Sequence, residues 1–172
     1  MNLQSNDFEL FGVPEQFAQD RALLETRWKE LQREAHPDKF AAQGAAAQRL
    51  AMQWSVRINE AYQRLKDPIQ RAAYLCELRG ASIDAQRNTA MPADFLMQQM
   101  EWREALDEAD TEDDMDQISD QAASLLREML LKVERQLDVE QLAPQAAQTV
   151  RAMMFIEKFQ ADIERRYELL GQ

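Results

Sequence analysis

Apolar side chains in the first half of the chain recur every three or four residues, which places them on one face of a helix. One stripe predicts a helix from Asp20, its N-cap, to Ala35, with the apolar members Leu24, Trp28, Leu31 and Ala35. A longer stripe predicts a helix over residues 43–66, with the apolar members Ala47, Leu50, Ala51, Trp54, Ile58, Ala61, Tyr62 and Leu65. We expect the two apolar faces to pack together as an antiparallel hairpin.

Prolines and a glycine mark the ends of these elements. Pro37 must end the first helix, because proline restricts the residue before it and cannot donate to the helical hydrogen-bond ladder. Asp67 followed by Pro68 is a cap with proline at the first helical position, and it predicts a short further helix. Gly12 ends a brief helix predicted over residues 7–11.

The second half of the chain predicts three longer amphipathic helices, over residues 93–109, 114–137 and 144–170. Short polar loops join them, so an up-down-up bundle is the simplest arrangement. The sequence therefore predicts an all-α protein with a domain over residues 1–76, a linker over residues 77–92 and a three-helix bundle over residues 93–172.

Charge divides the chain in the same place. The formal net charge is −11, and the first 76 residues contribute none of it. This acidity argues against nucleic acid and an anionic membrane surface as partners, since both are bound by Lys and Arg. Without an apolar run of about 20 residues or a basic leader, the expected compartment is the cytoplasm. One Cys and one His are too few for a disulfide framework or a metal centre, so we expect no cofactor.

The tripeptide His36-Pro37-Asp38 lies at the predicted tip of the hairpin. At 100° per residue, Lys29 and Arg33 point away from the apolar face of the helix before it, so a basic surface leads to an exposed turn. The alternative is structural: His36 and Asp38 shape a turn, and the basic residues form a solvated face.

A longer sequence segment after the turn favours a functional role of the turn over a purely structural one. Residues 58–68, Ile-Asn-Glu-Ala-Tyr-Gln-Arg-Leu-Lys-Asp-Pro, together with Arg71 and Tyr74, make residues 5–76 resemble the J-domain of the DnaJ superfamily. The resemblance implies docking on the ATPase domain of a DnaK-type chaperone and stimulation of its ATP hydrolysis. The implied contacts are Arg27, Lys29, Arg33, His36, Pro37, Asp38 and Lys39. Two residues depart from the family pattern: Ala35 replaces a common tyrosine, and Leu75 replaces a common aspartate.

The first helix of the bundle has two apolar faces. Phe95, Trp102, Leu106 and Ala109 form a narrow stripe suited to the bundle interior, whereas Leu96, Met97 and Met100 lie on the other side among Glu101, Glu104 and Glu108. A Leu/Met patch rimmed by carboxylates is typical of a partner surface, and Phe155 of the last helix is placed to border it. The alternative is that Leu96 and Met97 contact the linker or the first domain.

A J-domain followed by an acidic bundle that opens with Phe-Leu-Met-Gln-Gln-Met-Glu-Trp-Arg-Glu over residues 95–104 resembles the HscB family of co-chaperones in iron-sulfur cluster assembly. The resemblance implies that the bundle binds the scaffold protein IscU and that the J-domain recruits the chaperone HscA. By position, the scaffold contacts would be Leu96, Met97, Met100, Glu101, Glu104, Glu108 and Phe155. The chain would then be an adaptor and not an enzyme.

Other readings of the same residues remain open. The chain would instead be a general J-protein if it delivered many unfolded clients to DnaK, and a hydrolase if His36 and Asp38 served catalysis. Residues 110–116 are acidic but lack the glycine and the bidentate glutamate of a calcium loop, so we expect them to favour a helix N-terminus. Cys76 lies in an apolar sequence segment, so we expect its side chain to be buried.

Overall fold

The computed structural model describes residues 2–84 and 91–171 of the 172-residue chain. Over these residues the chain is all-α and divides into two compact units, Met1–Leu75 and Cys76–Gln172. Residues 2–84 form four α-helices: α1 (Asp7–Phe11), α2 (Arg21–Ala35), α3 (Ala45–Lys66) and α4 (Pro68–Leu78). Residues 91–171 form three more: α5 (Ala93–Glu108), α6 (Glu112–Glu134) and α7 (Ala143–Leu170). The all-α prediction is confirmed, and the predicted helix ends are met within about two residues, apart from the C-terminal end of α6.

The ends of the first helices follow from their capping residues. The Asp20 carboxylate accepts hydrogen bonds from the backbone N–H groups of Ala22 (3.0 Å) and Leu23 (3.3 Å), as expected of an N-cap. Gly12 ends α1 with φ at +65°, a conformation that costs glycine nothing. Between α2 and α3 the chain forms a 3-10 helix, Pro37–Gln43, where the sequence suggested only a turn.

The α2–α3 hairpin forms the body of the first unit, as predicted. Trp28 stacks on Tyr62 with ring centroids 4.6 Å apart, and the Ser55 hydroxyl donates to the Gln32 side chain at 2.8 Å. The fully buried apolar side chains of this unit are Phe8, Phe11, Leu24, Ile58, Ala61, Leu65, Ala72 and Leu75. Leu50 was predicted in the buried stripe but is 50% exposed, and it lines an apolar cleft between α2 and α3.

A buried carboxylate ties α1 to α3. Asp7 is fully buried and pairs with Arg57 at 2.8 Å and with Arg64 through two hydrogen bonds of 2.6 and 2.9 Å. These hydrogen bonds raise the pKa of Arg64, while burial raises the pKa of the neighbouring Tyr74. The Asp7 backbone N–H donates to the Tyr74 hydroxyl at 3.0 Å, so the cluster also reaches α4.

Arg71, one of the residues that carry the resemblance to J-domains, has a structural role. It is buried, and its guanidinium donates to the carbonyls of Phe17 and Leu65, each at 2.6 Å. Arg71 thus satisfies carbonyls of the loop before α2 and of the last turn of α3.

The predicted linker, residues 77–92, lies only partly within the described residues, because 85–90 are outside them. Its described portion is partly packed: α4 continues to Leu78, and Ile83 is buried. Arg151 of α7 donates to the Ile83 carbonyl at 3.1 Å. Ile83 therefore packs within the second unit, whereas Ser82 and Asp84 on either side of it are exposed.

Three helices form the body of the second unit. Phe95, Trp102, Leu106 and Ala109 of the α5 region are buried as predicted, and Trp102 stacks on Phe159 of α7 at 5.3 Å. The buried residues contributed by α6 and α7 to this core are Met115, Ile118, Ala122, Ala152, Ile156, Phe159 and Ile163. The interior of the bundle therefore consists of one apolar face from each helix, and for α5 this is the stripe predicted from the sequence.

The ends of α6 differ from each other. At its start, Thr111 accepts from the Asp114 backbone N–H at 3.1 Å, and three carboxylates lie in the first turn. The acidic run thus complements a helix dipole, as predicted. At its end, α6 does not stay α-helical to residue 137 but changes to a π-helical segment, Arg135–Val139, with Gln136 and Leu137 buried. The Thr149 hydroxyl donates to the buried Gln136 amide oxygen at 2.9 Å.

Cys76 is completely buried, as predicted, and burial raises the pKa of its thiol to about 11. The reactive thiolate is therefore scarce at neutral pH. We expect a chromogenic disulfide reagent to label the folded protein at pH 8 at least about 100-fold more slowly than the urea-unfolded chain. Equal labelling rates, read by absorbance, would contradict this placement of the thiol.

Candidate functional site

The His-Pro-Asp turn, residues 36–38, is exposed at the end of α2. The Asp38 backbone N–H donates to His36 Nδ1 at 3.2 Å, which fixes the imidazole across the start of the 3-10 helix. The Asp38 carboxylate lies 3.7 Å from the same nitrogen, and its side chain is 93% exposed. Pro37 is the first residue of the 3-10 helix and presets its φ. The side chains of His36 and Asp38 are solvated and lack the buried environment in which enzymes tune acids and bases.

The basic residues predicted beside this turn lie on two sides of α2. Lys29 and Arg33 line one shallow depression together with His36. Arg27 lies instead beside Gly12 and Glu30, and its ion pair with Glu30 spans 3.5 Å. The structure therefore groups Lys29 and Arg33 with the turn and separates Arg27 from them. Lys39 is exposed just after the turn, and its backbone N–H donates to the His36 carbonyl at 3.0 Å.

An apolar cleft of about 370 Å³ opens between α2 and α3 directly behind the turn. Its lining includes Ala35 of α2 and, from α3, Ala47, Leu50, Ala51 and Trp54. Small side chains at facing positions leave volume unfilled. The cleft gives a physical meaning to Ala35, the residue that replaces a common tyrosine before the His-Pro-Asp turn.

Filling this cleft is expected to stabilise the first unit. The substitution Ala35→Leu adds apolar volume where the neighbours leave space, and we expect about 0.5–2 kcal/mol of added stability. Urea unfolding followed by circular dichroism measures the change. The matched control is Ala46→Leu, at an exposed position of α3, which gains no burial. Equal effects of the two substitutions would show that the cleft does not accept a side chain.

The second candidate surface is the outward side of α5. Leu96, Met97 and Met100, here called the α5 patch, are exposed by 44%, 62% and 70%. Soluble proteins rarely leave neighbouring large apolar side chains in water, and methionine adapts to the shape of a partner. The structure thus places the three side chains in solvent, as expected from the helical wheel.

Phe155 of α7 contacts α5 at Phe95, which adjoins Leu96 in sequence, and at Arg103, one helical turn after Met100. Its ring meets Phe95 edge-on, with centroids 5.9 Å apart and an interplanar angle of 88°. The Arg103 guanidinium lies 5.8 Å from the Phe155 centroid and pairs with Asp162 at 2.7 Å. The half-buried Phe155 ring therefore has two neighbours on α5, the ring of Phe95 and the guanidinium of Arg103.

The three predicted rim carboxylates do not occupy equivalent places. Glu101 and Glu104 are exposed on α5 next to the methionines. Glu108 lines a polar cleft between α5 and α6, together with Ala105 and Gln121. Two carboxylates thus flank the α5 patch closely, while Glu108 lies toward α6.

Sequence reasoning missed two features of these surfaces. Asp7 was not recognised as buried, although the i, i+7 spacing of Arg57 and Arg64 on α3 places two cations on one face for a common anion. The ion pair between Arg103 and Asp162 was also missed, because the two residues lie on different helices and are 59 positions apart in sequence.

Within residues 2–84 and 91–171, no three His, Cys, Asp or Glu side chains are grouped in a way that would hold a metal ion. In the same part of the chain, no helix is both long and apolar enough to cross a membrane.

Comparison with known proteins points to one family. Residues 91–164 match the domain described as "HSCB C-terminal oligomerisation domain". The chain is 47% identical to the "Co-chaperone protein HscB homolog" of Burkholderia vietnamiensis over 133 residues, which are 77% of this chain and 76% of the relative. It is 49% identical to the protein of the same description from Cupriavidus taiwanensis, over 74% of this chain and 70% of the relative.

Two solved structures share the fold of nearly the whole chain. "Chaperone HscB from Vibrio cholerae" is 36% identical with a TM-score of 0.83, covering 96% of this chain and 99% of that one. Human co-chaperone protein HscB is 26% identical with a TM-score of 0.91, covering 97% of this chain and 84% of that one. Sequence identity over most of the length and the common fold lead to the same conclusion: the chain belongs to the HscB family of co-chaperones.

Proposed function

We propose that this co-chaperone binds an IscU-type iron-sulfur scaffold protein through its second unit and delivers it to an HscA/DnaK-type chaperone, whose ATPase it stimulates through the first unit. The observation that supports the proposal is that each compact unit has its own exposed surface, one polar around His36 and Asp38 and one apolar at Leu96, Met97 and Met100. Such a protein forms and breaks no covalent bond in its client. Membership in the HscB family supports these two partners.

The chaperone surface consists of the His-Pro-Asp turn with Lys29 and Arg33, and Lys39 follows it along the chain. Exposed cations attract an acidic partner and accelerate the encounter, while the rigid turn makes a specific contact. Stimulation then follows if the turn binds the hydrolysis-competent state of the ATPase domain more tightly than its resting state. Arg27 lies on another side of α2, so we leave it out of this surface.

The client surface consists of the α5 patch, Phe155 and the carboxylates of Glu101, Glu104 and Glu108. Apolar side chains at the centre supply the affinity of an interface, and charges at the rim set its partner and its rate of formation. The net charge of the chain comes entirely from the residues after Cys76, so a client with a basic patch beside an apolar one fits this surface.

Truncation of the α5 patch tests the client surface. We expect Leu96→Ala and Met97→Ala each to weaken the affinity for the scaffold protein by about 1–3 kcal/mol, because both side chains would be buried on binding. Isothermal titration calorimetry with the purified scaffold measures this loss. The matched control is Leu131→Ala, an exposed leucine on α6, which we expect to leave the affinity unchanged.

A general J-protein that hands unfolded chains to a DnaK-type chaperone is the second candidate. It is favoured only by the first unit, since the His-Pro-Asp turn serves either role. It predicts that chemically denatured proteins bind the second unit as well as the scaffold does, and that Leu96→Ala and Met97→Ala have no effect on scaffold binding.

A further inference from the structure

Asp162 lies at the centre of a group of contacts between α5 and α7. Arg103 Nη1 donates to Asp162 Oδ2 at 2.7 Å, and Arg165 pairs with the other carboxylate oxygen. The Asp162 side chain is only 17% exposed. The hydrogen bond from Arg103 is the main cause that lowers the pKa of Asp162, so the carboxylate is charged at neutral pH.

These contacts end at an aromatic ring beside the α5 patch. The Arg103 guanidinium lies 5.4 Å from the Phe159 centroid and 5.8 Å from the Phe155 centroid, within the range of a cation–π interaction. Phe159 is fully buried, whereas Phe155 is half-buried. The position of the guanidinium is therefore set by Asp162 on one side and by the rings on the other.

We infer that Asp162 is a positioning residue for client binding, which holds Arg103 against Phe155 and so fixes that ring beside the α5 patch. Asp162 acts through the other two residues and needs no contact with the client. The inference rests on the proposed client surface, and it adds a residue of α7 that the surface itself does not include.

The physical reason is preorganisation. An aromatic side chain that is held in its bound rotamer before the encounter loses little conformational freedom on binding. When Asp162 is removed, Arg103 is free to turn into water, and the side of the Phe155 ring that it covered becomes open. The ring then samples other rotamers in the free protein, and part of the binding free energy is spent on ordering it again.

The test is a double-mutant cycle on the full-length protein, with the IscU-type scaffold as the titrated probe. We expect Asp162→Ala to weaken binding about 5- to 10-fold in the natural background, but less than about 2-fold in a Phe155→Ala background, because the residue acts through that ring. Asp162→Glu, which keeps the charge, is expected to restore most of the affinity. Glu164→Gln removes a charge from an exposed neighbouring position of the same helix and is expected to change nothing.

Two further readouts separate positioning from a loss of structure. The aromatic NMR signals of Phe155 are expected to shift in free Asp162→Ala, while the thermal midpoint shows that the bundle is still folded. Asp162→Asn, which keeps the side-chain shape, serves the same test if the alanine variant melts below the assay temperature. Equal losses in both backgrounds, or no loss in either, would overturn the inference.

The variant Leu96→Ala/Met97→Ala, measured in parallel, distinguishes two kinds of failure. If it loses scaffold affinity while Asp162→Ala does not, the positioning role is wrong and the client surface stands. If it binds the scaffold normally, the client surface itself is wrong, and the inference fails with it.

Discussion

Replacing His36 with alanine is expected to abolish stimulation of the chaperone ATPase while leaving the affinity for the scaffold protein unchanged. The imidazole accepts the Asp38 backbone N–H at 3.2 Å, so its loss removes both an exposed contact group and the bond that fixes the turn. Pro37→Ala and Asp38→Ala are expected to give the same result, because proline sets the backbone of the turn and the Asp38 carboxylate is almost fully available to a partner. Single-turnover ATP hydrolysis by the purified chaperone measures the effect.

The structure supplies a control for this prediction. Gln48→Ala changes an exposed side chain in the first turn of α3, beyond the 3-10 helix, and is expected to leave stimulation intact. Because the turn is exposed, we also expect the free energy of unfolding of the His36→Ala variant, measured in urea, to stay within about 0.5 kcal/mol of that of the unaltered protein. Stimulation that survives all three alanine substitutions would refute the role of the turn.

The largest expected effect on stability comes from Asp7. Asp7 is fully buried and the two arginines are partly buried, so Asp7→Ala leaves Arg57 and Arg64 without their shared carboxylate. Removing one partner of a buried ion pair costs about 3–5 kcal/mol. That is a large share of the 5–15 kcal/mol that keeps a typical domain folded. We expect α1 to detach and the first unit to unfold at much lower urea concentration, as followed by circular dichroism.

A surface ion pair of the same unit provides the comparison. Glu25→Gln breaks a pair of 3.2 Å with Lys29 in which both side chains are more than half exposed, and we expect a cost below about 0.5 kcal/mol. Similar losses for Asp7→Ala and Glu25→Gln would mean that the Asp7 cluster is not an important tie between α1 and α3.

Local signals were sufficient to predict the helices. Asp20 and Asp67 each carry a complete capping signal within three residues, and the side chains that they cap are next to them in sequence. The two faces of α5 were also predictable, because the positions of Phe95 and Met97 on one helix are fixed by the helical period alone. In these cases the sequence distance of the interaction is short.

Features that depend on distant partners were not predictable in this way. The pattern around Asp7 marks a helix start, and nothing local shows that two arginines, 50 and 57 residues further along the chain, pair with it. Leu50 obeys the period of the buried stripe, yet it is 50% exposed and lines a cleft to which Ala35 of the other helix also contributes, a partner that the period of α3 alone does not reveal. Arg27 is basic like Lys29, but two residues of helical rotation carry it to the other side of α2.

The central claim is that two independent surfaces on one chain bridge a client and an ATPase. Its most direct test measures scaffold affinity by calorimetry and chaperone ATPase stimulation in the absence of the scaffold, for two full-length variants. The account predicts a crossed result: His36→Ala keeps the affinity and loses the stimulation, whereas Leu96→Ala/Met97→Ala loses the affinity and keeps the stimulation. Loss of both activities in either variant, or of neither in both, would contradict it.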